Sequence, residues 1–240
     1  MIRFLLLGIA LICICGMHSN EQPTLKVGLI EPIRMPYFYR DAQSGEAKGA
    51  YIDILEHIHK VTGIRFEYQF LPQVRIRELM REQKLDVEPG IDSSWRQEPG
   101  EAEASVYSDV FYISNEVIAY SNSAFLESDV DPVVFKSLKP CSLLGFNLIP
   151  EYDKDVVQAR TEAQVLKMLI TNRCDFAVFP FDVIAGELKK GNLHVTKSVE
   201  SYELRLRLAK KQQHLLPQIN RAIRDLKARG EIQKIMAAHH

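Results

Sequence analysis

LKVGLI at residues 25–30, YIDILEHIHKVTG at 51–63, RFEYQF at 65–70, PQVRIRELM at 72–80 and LDV at 85–87 decide the fold class between them. The first is a short apolar run closed by Glu31-Pro32, which reads as a buried strand. Tyr51, Ile54, Leu55, Ile58 and Val61 then recur at helical spacing, and Gly63 stops the helix. Phe66, Tyr68 and Phe70 alternate as in a strand, and Pro72 introduces a helix carrying Val74, Leu79 and Met80. Leu85-Asp86-Val87 opens the next strand. Strand and helix in alternation predict a parallel sheet with crossover helices, an α/β unit.

Working outward, Val117-Ile118-Ala119-Tyr120 leads out of this unit and a second alternation follows. Residues 141–146 and, more weakly, 156–159 are strand candidates. Glu162 to Asn172 is a helix with Val165, Leu166 and Leu169 on one face. Asp175 to Phe179 is a buried strand, and 183–190 is a helix. The chain ends in amphipathic helix, Leu215, Ile219, Ala222, Ile223 and Leu226, broken at Gly230 and resumed at Ile232, Ile235 and Met236. No internal repeat and no Pro/Gly/Ser-rich tether separates the two units, so strands are expected to join them.

With 46% hydrophobic and 25% charged residues among 240, the chain can bury one large core or two modest ones. Its net charge of −1, both signs interspersed, gives no footprint for nucleic acid. Met1-Ile2-Arg3, the apolar run Phe4 to Cys15 and the small or polar residues 16–20 have the layout of a secretory signal peptide, assigned to 1–19. The apolar run is short for a membrane span; an uncleaved anchor is the alternative. Export places the remaining cysteines, Cys141 and Cys174, in an oxidising compartment. Both lie at the starts of strands expected to be neighbours, within disulfide range if those strands are adjacent and parallel. Two buried free thiols are the other possibility.

The order of these segments resembles the bacterial extracellular solute-binding proteins of family 3 over residues 24–238. Carrying the resemblance are Leu25-Lys26-Val27-Gly28 with the Pro-aromatic loop Met35-Pro36-Tyr37-Phe38, and Gly49-Ala50-Tyr51-Ile52-Asp53-Ile54-Leu55. Leu71-Pro72-Gln73-Val74-Arg75, Leu85-Asp86, Trp95-Arg96 and Tyr107-Ser108-Asp109-Val110-Phe111-Tyr112 continue it. Asn172-Arg173-Cys174-Asp175-Phe176-Ala177-Val178 completes it. The resemblance implies a two-lobed, type II periplasmic-binding-protein-like α/β fold, hinged between two parallel-type sheets. Lobe 1 would comprise 24–116 and 205–238, the last helices returning to it, and lobe 2 would comprise 117–204. It implies a ligand in the crevice between the lobes, beyond the strand carboxyl ends.

Candidate site residues follow. Arg96 can hold a carboxylate in two parallel charge-assisted hydrogen bonds, and the resemblance implies that role; a surface arginine paired with Glu98 or Glu101 is the structural alternative. Ser93 and Ser94, behind Asp92, offer hydroxyls and amides, or belong to a capped helix. Arg75 sits at a helix start, an unfavourable place for a cation unless an anion is near. Among Tyr37, Phe38, Tyr39, Tyr51 and Trp95, one or two rings are expected to face the crevice, Tyr37 and Trp95 first. Where amino-acid-binding members carry an aspartate five positions after Asp175, this chain has Pro180; Asp182 is the substitute, or else the N-cap of the next helix. Asn147 lies in a further contact loop. No metal is expected, since His57 and His59 face different ways on their helix, and no cofactor.

The leading expectation is a monomeric periplasmic receptor that captures a small polar, carboxylated solute for an inner-membrane ABC permease. A dehydratase-like enzyme on the same architecture is the second, with Glu88, Glu151 and Asp182 as candidate acids of raised pKa. A detached sensory module is the third.

Overall fold

The structure, a computed structural model, describes residues 22–31, 33–121, 130–146, 149–152 and 155–239. The signal peptide assigned to 1–19 and the candidate Asn147 lie outside the described residues. Strand β1 (Thr24–Ile30) is followed by three short strands, β2 (Ile33–Arg34), β3 (Phe38–Arg40) and β4 (Ala47–Lys48), which form a small sheet of their own. Helix α1 (Ala50–Thr62), β5 (Arg65–Leu71), α2 (Gln73–Arg81), β6 (Val87–Ile91), α3 (Pro99–Glu103) and β7 (Ser105–Tyr107) complete the first unit. Then come β8 (Tyr112–Ser121), β9 (Pro140–Leu143), β10 (Val157–Ala159), α4 (Glu162–Ile170), β11 (Phe176–Pro180) and α5 (Phe181–Leu188). The 17-residue β12 (Leu193–Ala209) leads to α6 (Leu216–Ala228) and α7 (Glu231–Ala238).

Within each half of the large sheet the pairing around β1 and β9 is parallel: β1 with β5 and β6, and β9 with β10 and β11. The antiparallel pairs of that sheet all involve β8 or β12, and the small sheet β2-β3-β4 is antiparallel. Hydrogen bonding runs continuously in the order β10-β9-β11-β8-β12-β6-β1-β5, yet β12 changes partner along its length. Leu193 to Leu204 pairs with β8, and Arg205 to Leu208 pairs with β6, with a register shift between Arg205 and Leu206. That shift turns one strand from the first sheet into the second. The buried clusters divide in the same way. One group spans Leu25 to Phe111 and Leu204 to Met236; the other spans Val117 to Leu193. Two cores, joined by two paired strands, give a hinge.

Local chemistry explains most boundaries. Gly63 ends α1 at φ 77°, its N–H donating to the carbonyl of His59 at 2.7 Å, a left-handed cap that favours glycine. Ile219, Ala222, Ile223 and Leu226 of α6 and Ile232 and Met236 of α7 are buried in the core that holds Leu55 and Ile58 of α1, each Ile, Leu or Met worth roughly 1.5–3 kcal/mol of burial. Two expectations need correction. Residues 205–209 are strand rather than part of the terminal helices. The strand at 85–87 begins only at Val87, because Asp86 is occupied in exchanging hydrogen bonds with the main chain of Lys26 at 2.9 Å.

Cys141 and Cys174 are joined by a disulfide with Cα atoms 5.7 Å apart. It links β9 to the residues leading into β11, closing a loop of 33 residues. Reduction should lower stability by roughly 3–4 kcal/mol on the loop-entropy argument. A melting temperature unchanged by a strong reductant, with free thiols verified, would contradict that value.

Candidate functional site

A crevice runs between the two halves at the carboxyl ends of β1 and β6 and of β9 and β11. The first half contributes Arg34, Tyr37, Tyr51, Gln73, Trp95 and Arg96 to its wall; the second contributes Ser142, Phe146, Glu162 and Phe179; the hinge strands contribute Ser114, Glu116 and Tyr202. Tyr37 stacks on Tyr51 with ring centres 4.7 Å apart, and both rings are buried. Gly90, at φ 75°, lets the Tyr51 ring approach: a Cβ there would stand 2.4 Å from it. Trp95 meets Tyr202 edge-on at 4.8 Å.

Below the crevice lies an ion cluster. Glu88, 2% exposed, accepts from Arg96 Nη2 at 2.9 Å, Gln73 Nε2 at 2.9 Å and Arg207 Nη1 at 2.8 Å. Glu101, fully buried, accepts from Arg77 Nε at 3.0 Å and lies 3.5 Å from Arg207 Nη1 and 3.9 Å from Arg96 Nε. Burial alone would raise the Glu88 carboxyl, but the Arg96 and Arg207 guanidiniums outweigh it and hold the group at about 2. Gln73 Oε1, Arg96 Nε, Tyr107 Oη and Arg207 Nη2 are buried without a hydrogen-bond partner among the described residues.

The halves also touch directly. Arg34 Nε stands 3.7 Å from Glu162 Oε1 and its guanidinium lies 4.7 Å from the centre of the Phe146 ring. Tyr37 donates to Asp182 Oδ2 at 3.2 Å, as does Tyr112 at 2.7 Å. Glu116, 7% exposed, accepts from Ser114 Oγ at 2.8 Å. Burial pushes its carboxyl up to about 7, with Asp182 and Glu162 adding to the rise and Ser114 and Arg34 opposing it. Burial likewise raises Glu162, opposed by Arg34.

The structure brings Tyr37, Tyr51, Trp95 and Arg96 to the crevice, with Arg96 buried rather than on the surface and engaged by Glu88 rather than Glu98. Arg75 lies elsewhere, exposed on α2 and paired with Glu78. Ser93 and Ser94 form a 3₁₀ turn outside the crevice wall, capped by Asp92, which accepts from the Ser94 N–H at 2.8 Å. Asp182 is not the N-cap of α5, which is Pro180, but a first-turn residue facing two tyrosines. Of the candidate acids, Glu88 has a lowered pKa instead of a raised one, and Glu151 is exposed and paired with Lys136 at 2.7 Å. Arg34, Glu116, Glu162 and Phe146 were missed. A carboxylate directly preceding the apolar run 117–120 was the one available signal.

Two hinged α/β halves with a polar, aromatic-walled crevice between them define a crevice-binding fold. The model of the bacterial extracellular solute-binding proteins, family 3, matches residues 25–240, and the chain belongs to that family. Solved structures share the fold at low identity. A substrate-binding protein of an amino acid ABC transporter from Streptococcus pneumoniae, bound to L-arginine, is 15% identical, with a TM-score of 0.74 over 90% of this chain and 94% of that one. A histidine kinase sensor domain is 20% identical, with a TM-score of 0.74 over 91% and 96%. An ancestral amino-acid-binding protein, a precursor of cyclohexadienyl dehydratase, is 18% identical, with a TM-score of 0.73 over 90% and 95%. No curated protein sequence matches. Among the described residues no helix is long and apolar enough to cross a membrane, and no group of three His, Cys, Asp or Glu is placed to hold a metal ion.

Two outcomes follow from the charges. Glu88→Gln removes the carboxylate between two buried guanidiniums and should cost about 3–5 kcal/mol, read as a lower denaturant midpoint; an unaltered midpoint would contradict the cluster's role. Glu116 has a folded pKa of about 7 against an ordinary 4.5. The fold therefore favours its protonated form, and the stability it contributes is complete below pH 4.5 and lost as pH rises to about 7. The loss is roughly 3 kcal/mol. Glu116→Gln should flatten that slope in denaturation series across this range.

Proposed function

We propose that this chain is a periplasmic receptor that closes on a small, amino-acid-type solute bearing a carboxylate and delivers it to an inner-membrane ABC importer. The observation that carries this reading is a crevice walled by side chains from both halves, across which the chain passes only through β8 and β12. Such a crevice can shut on a guest that touches both sides, and only to the extent that the guest binds the shut form better. We take the moving units to be 24–116 with 205–238, and 117–204, acting within a monomer and without a cofactor. Since Arg96 is engaged by Glu88, Arg34 is the guanidinium best placed for the solute's carboxylate, with Tyr37, Tyr51 and Trp95 supplying ring faces. Ligand binding by Arg75, Ser93 or Ser94 finds no support in their positions.

One observation favours a second reading. Glu116 is a crevice acid whose carboxyl is pushed up to about 7, the property a general acid requires, so a dehydratase-like activity on a cyclic carboxylate would run through Glu116. Turnover of a prephenate-like substrate, abolished by Glu116→Gln, would favour that reading over the receptor.

A thermal-shift screen against amino acids, organic acids and polyamines tests the receptor reading. A guest at a hundred times its Kd should stabilise the protein by about 2.7 kcal/mol, and Arg34→Ala should abolish the shift for carboxylated guests. A screen in which no compound moves the melting temperature would count against it.

A further inference from the structure

Three carboxyl groups and one cation meet where the halves touch. Glu116 belongs to β8, Glu162 to α4 and Asp182 to α5, and the cation is Arg34 of β2. Arg34 stands 3.7 Å from Glu162 across the crevice, and Asp182 already accepts from the hydroxyls of Tyr37 and Tyr112. Glu116 is 7% exposed and accepts one neutral hydrogen bond, from Ser114 at 2.8 Å; among the described residues no Lys, Arg or His nitrogen lies within ion-pair distance of it. Ionising Glu116 there would add a buried carboxylate, close to two others, that no cation of its own faces. A neutral carboxyl in the same place carries no such cost.

The backbone puts this group on the part of the chain that must bend. β8 is one of the two strands that cross between the halves, and its pairing with β12 is regular from Tyr112 to Glu116. Beyond Glu116 the register shifts on both sides of Ser198, the residue opposite Val117. Such irregularities disrupt the ladder locally and bend the strand. Glu116 is thus the last residue of the regular run, beside the least regular stretch of the crossing, and it lines the crevice as well.

We propose that Glu116 is a proton latch: with its carboxyl neutral the halves rest against each other, and its ionisation parts them so that water reaches the charge. The proposal rests on the receptor reading, which supplies the hinge motion, and adds a regulation of that motion in which no solute takes part. Facing Glu116 are Ser114 of its own strand, Arg34 of β2, Tyr51 of α1, Glu162 of α4, Asp182 of α5, and Glu200 and Tyr202 of β12, while β11 sets the uncharged Pro180 opposite it. Arg34 is the one cation in that set. With the halves in contact, burial pushes the carboxyl up to about 7; in water it returns towards the ordinary 4.5. A raised pKa means that the contact arrangement gains from the bound proton, fully below pH 4.5 and no longer once the pH has risen through about 7. Between pH 5.5 and 8 the ratio of shut to open molecules should therefore fall by up to about 25-fold.

Trp95, the single tryptophan of the chain, stands in the crevice wall edge-on to Tyr202 of β12, so its fluorescence reports on opening. Small-angle X-ray scattering and acrylamide quenching of Trp95, on the purified protein without added solute at steps from pH 5.5 to 8, test the latch. The radius of gyration and the quenching are expected to rise together across this range. Glu116→Gln should remove most of both rises and stay near the compact values of pH 5.5, its melting temperature checking that it folds. Glu162→Gln removes a like charge that raises Glu116 and should move the midpoint to lower pH; a midpoint that stays or rises overturns the latch. If the wild-type protein scatters and quenches alike at pH 5.5 and 8, or if Glu116→Gln keeps the wild-type rise, the latch falls while the receptor reading stands. If, in addition, no compound of the thermal-shift screen changes the scattering, the halves do not move and both fall.

Discussion

Glu88 is the constraint around which the rest is arranged. A carboxylate with almost no exposure cannot stand in a protein core unless charges of the opposite sign face it closely. Arg96, from the turn after β6, and Arg207, from the far end of β12, supply them. The contact with Arg207 joins residues 119 positions apart and pins the returning strand beside β6. It therefore fixes where β12 enters the first half, and so where the hinge ends. Replacing one partner would leave the others buried and unmatched, which is why such a cluster imposes a single arrangement on the chain even where it adds little net stability.

That constraint also redistributes the chemistry of the crevice. A guanidinium fork free to grip a carboxylate must have its donors unclaimed, and Arg96 gives Nη2 to Glu88 and Nη1 to the carbonyl of Trp95. Under the proposed reading the cation left for a guest is Arg34, a half-buried residue of the small sheet, while Glu116 places a buried carboxyl on the hinge strand. The same residue types are present as the sequence suggested, but their partners decide which of them face a guest.

The alternation of strand and helix was legible because it depends on local spacing: 51-54-55-58 for α1, 66-68-70 for β5, and Gly63 and Gly230 at helix ends. β12 was not. From Lys197 to Glu203 its residues are mostly polar on both faces, since this stretch is a two-stranded crossing rather than a sheet interior, and the Leu204-Leu206-Leu208 alternation is short and separated by arginines. Tyr37 could be placed because a loop dense in rings needs somewhere to put them, whereas Tyr51 reaches the same wall from α1 and Trp95 from the turn after β6. Arg75 stood out on helix-dipole grounds, but its helix start is solvated and Glu78, one turn on, already answers its charge. Glu116 and Arg34 depend on tertiary neighbours that no local pattern announces: the second carboxylate and the ring that face Arg34 come from residues 162 and 146.

The contacts between the halves bear on how closure would work under the proposed reading. Arg34 with Glu162 and Tyr37 with Asp182 link the halves directly. A contact that the protein makes by itself lowers the work a ligand must do but contributes nothing to selectivity. The Arg34–Glu162 separation of 3.7 Å is long for a charge-assisted hydrogen bond, so each group retains most of its capacity. Under that reading a solute bearing both charges steps between them and replaces one loose pair by two close ones. A guest with only one charge satisfies one side and strips the other of its partner. Discrimination would then come less from the strength of any single contact than from the penalty on a half-matched guest.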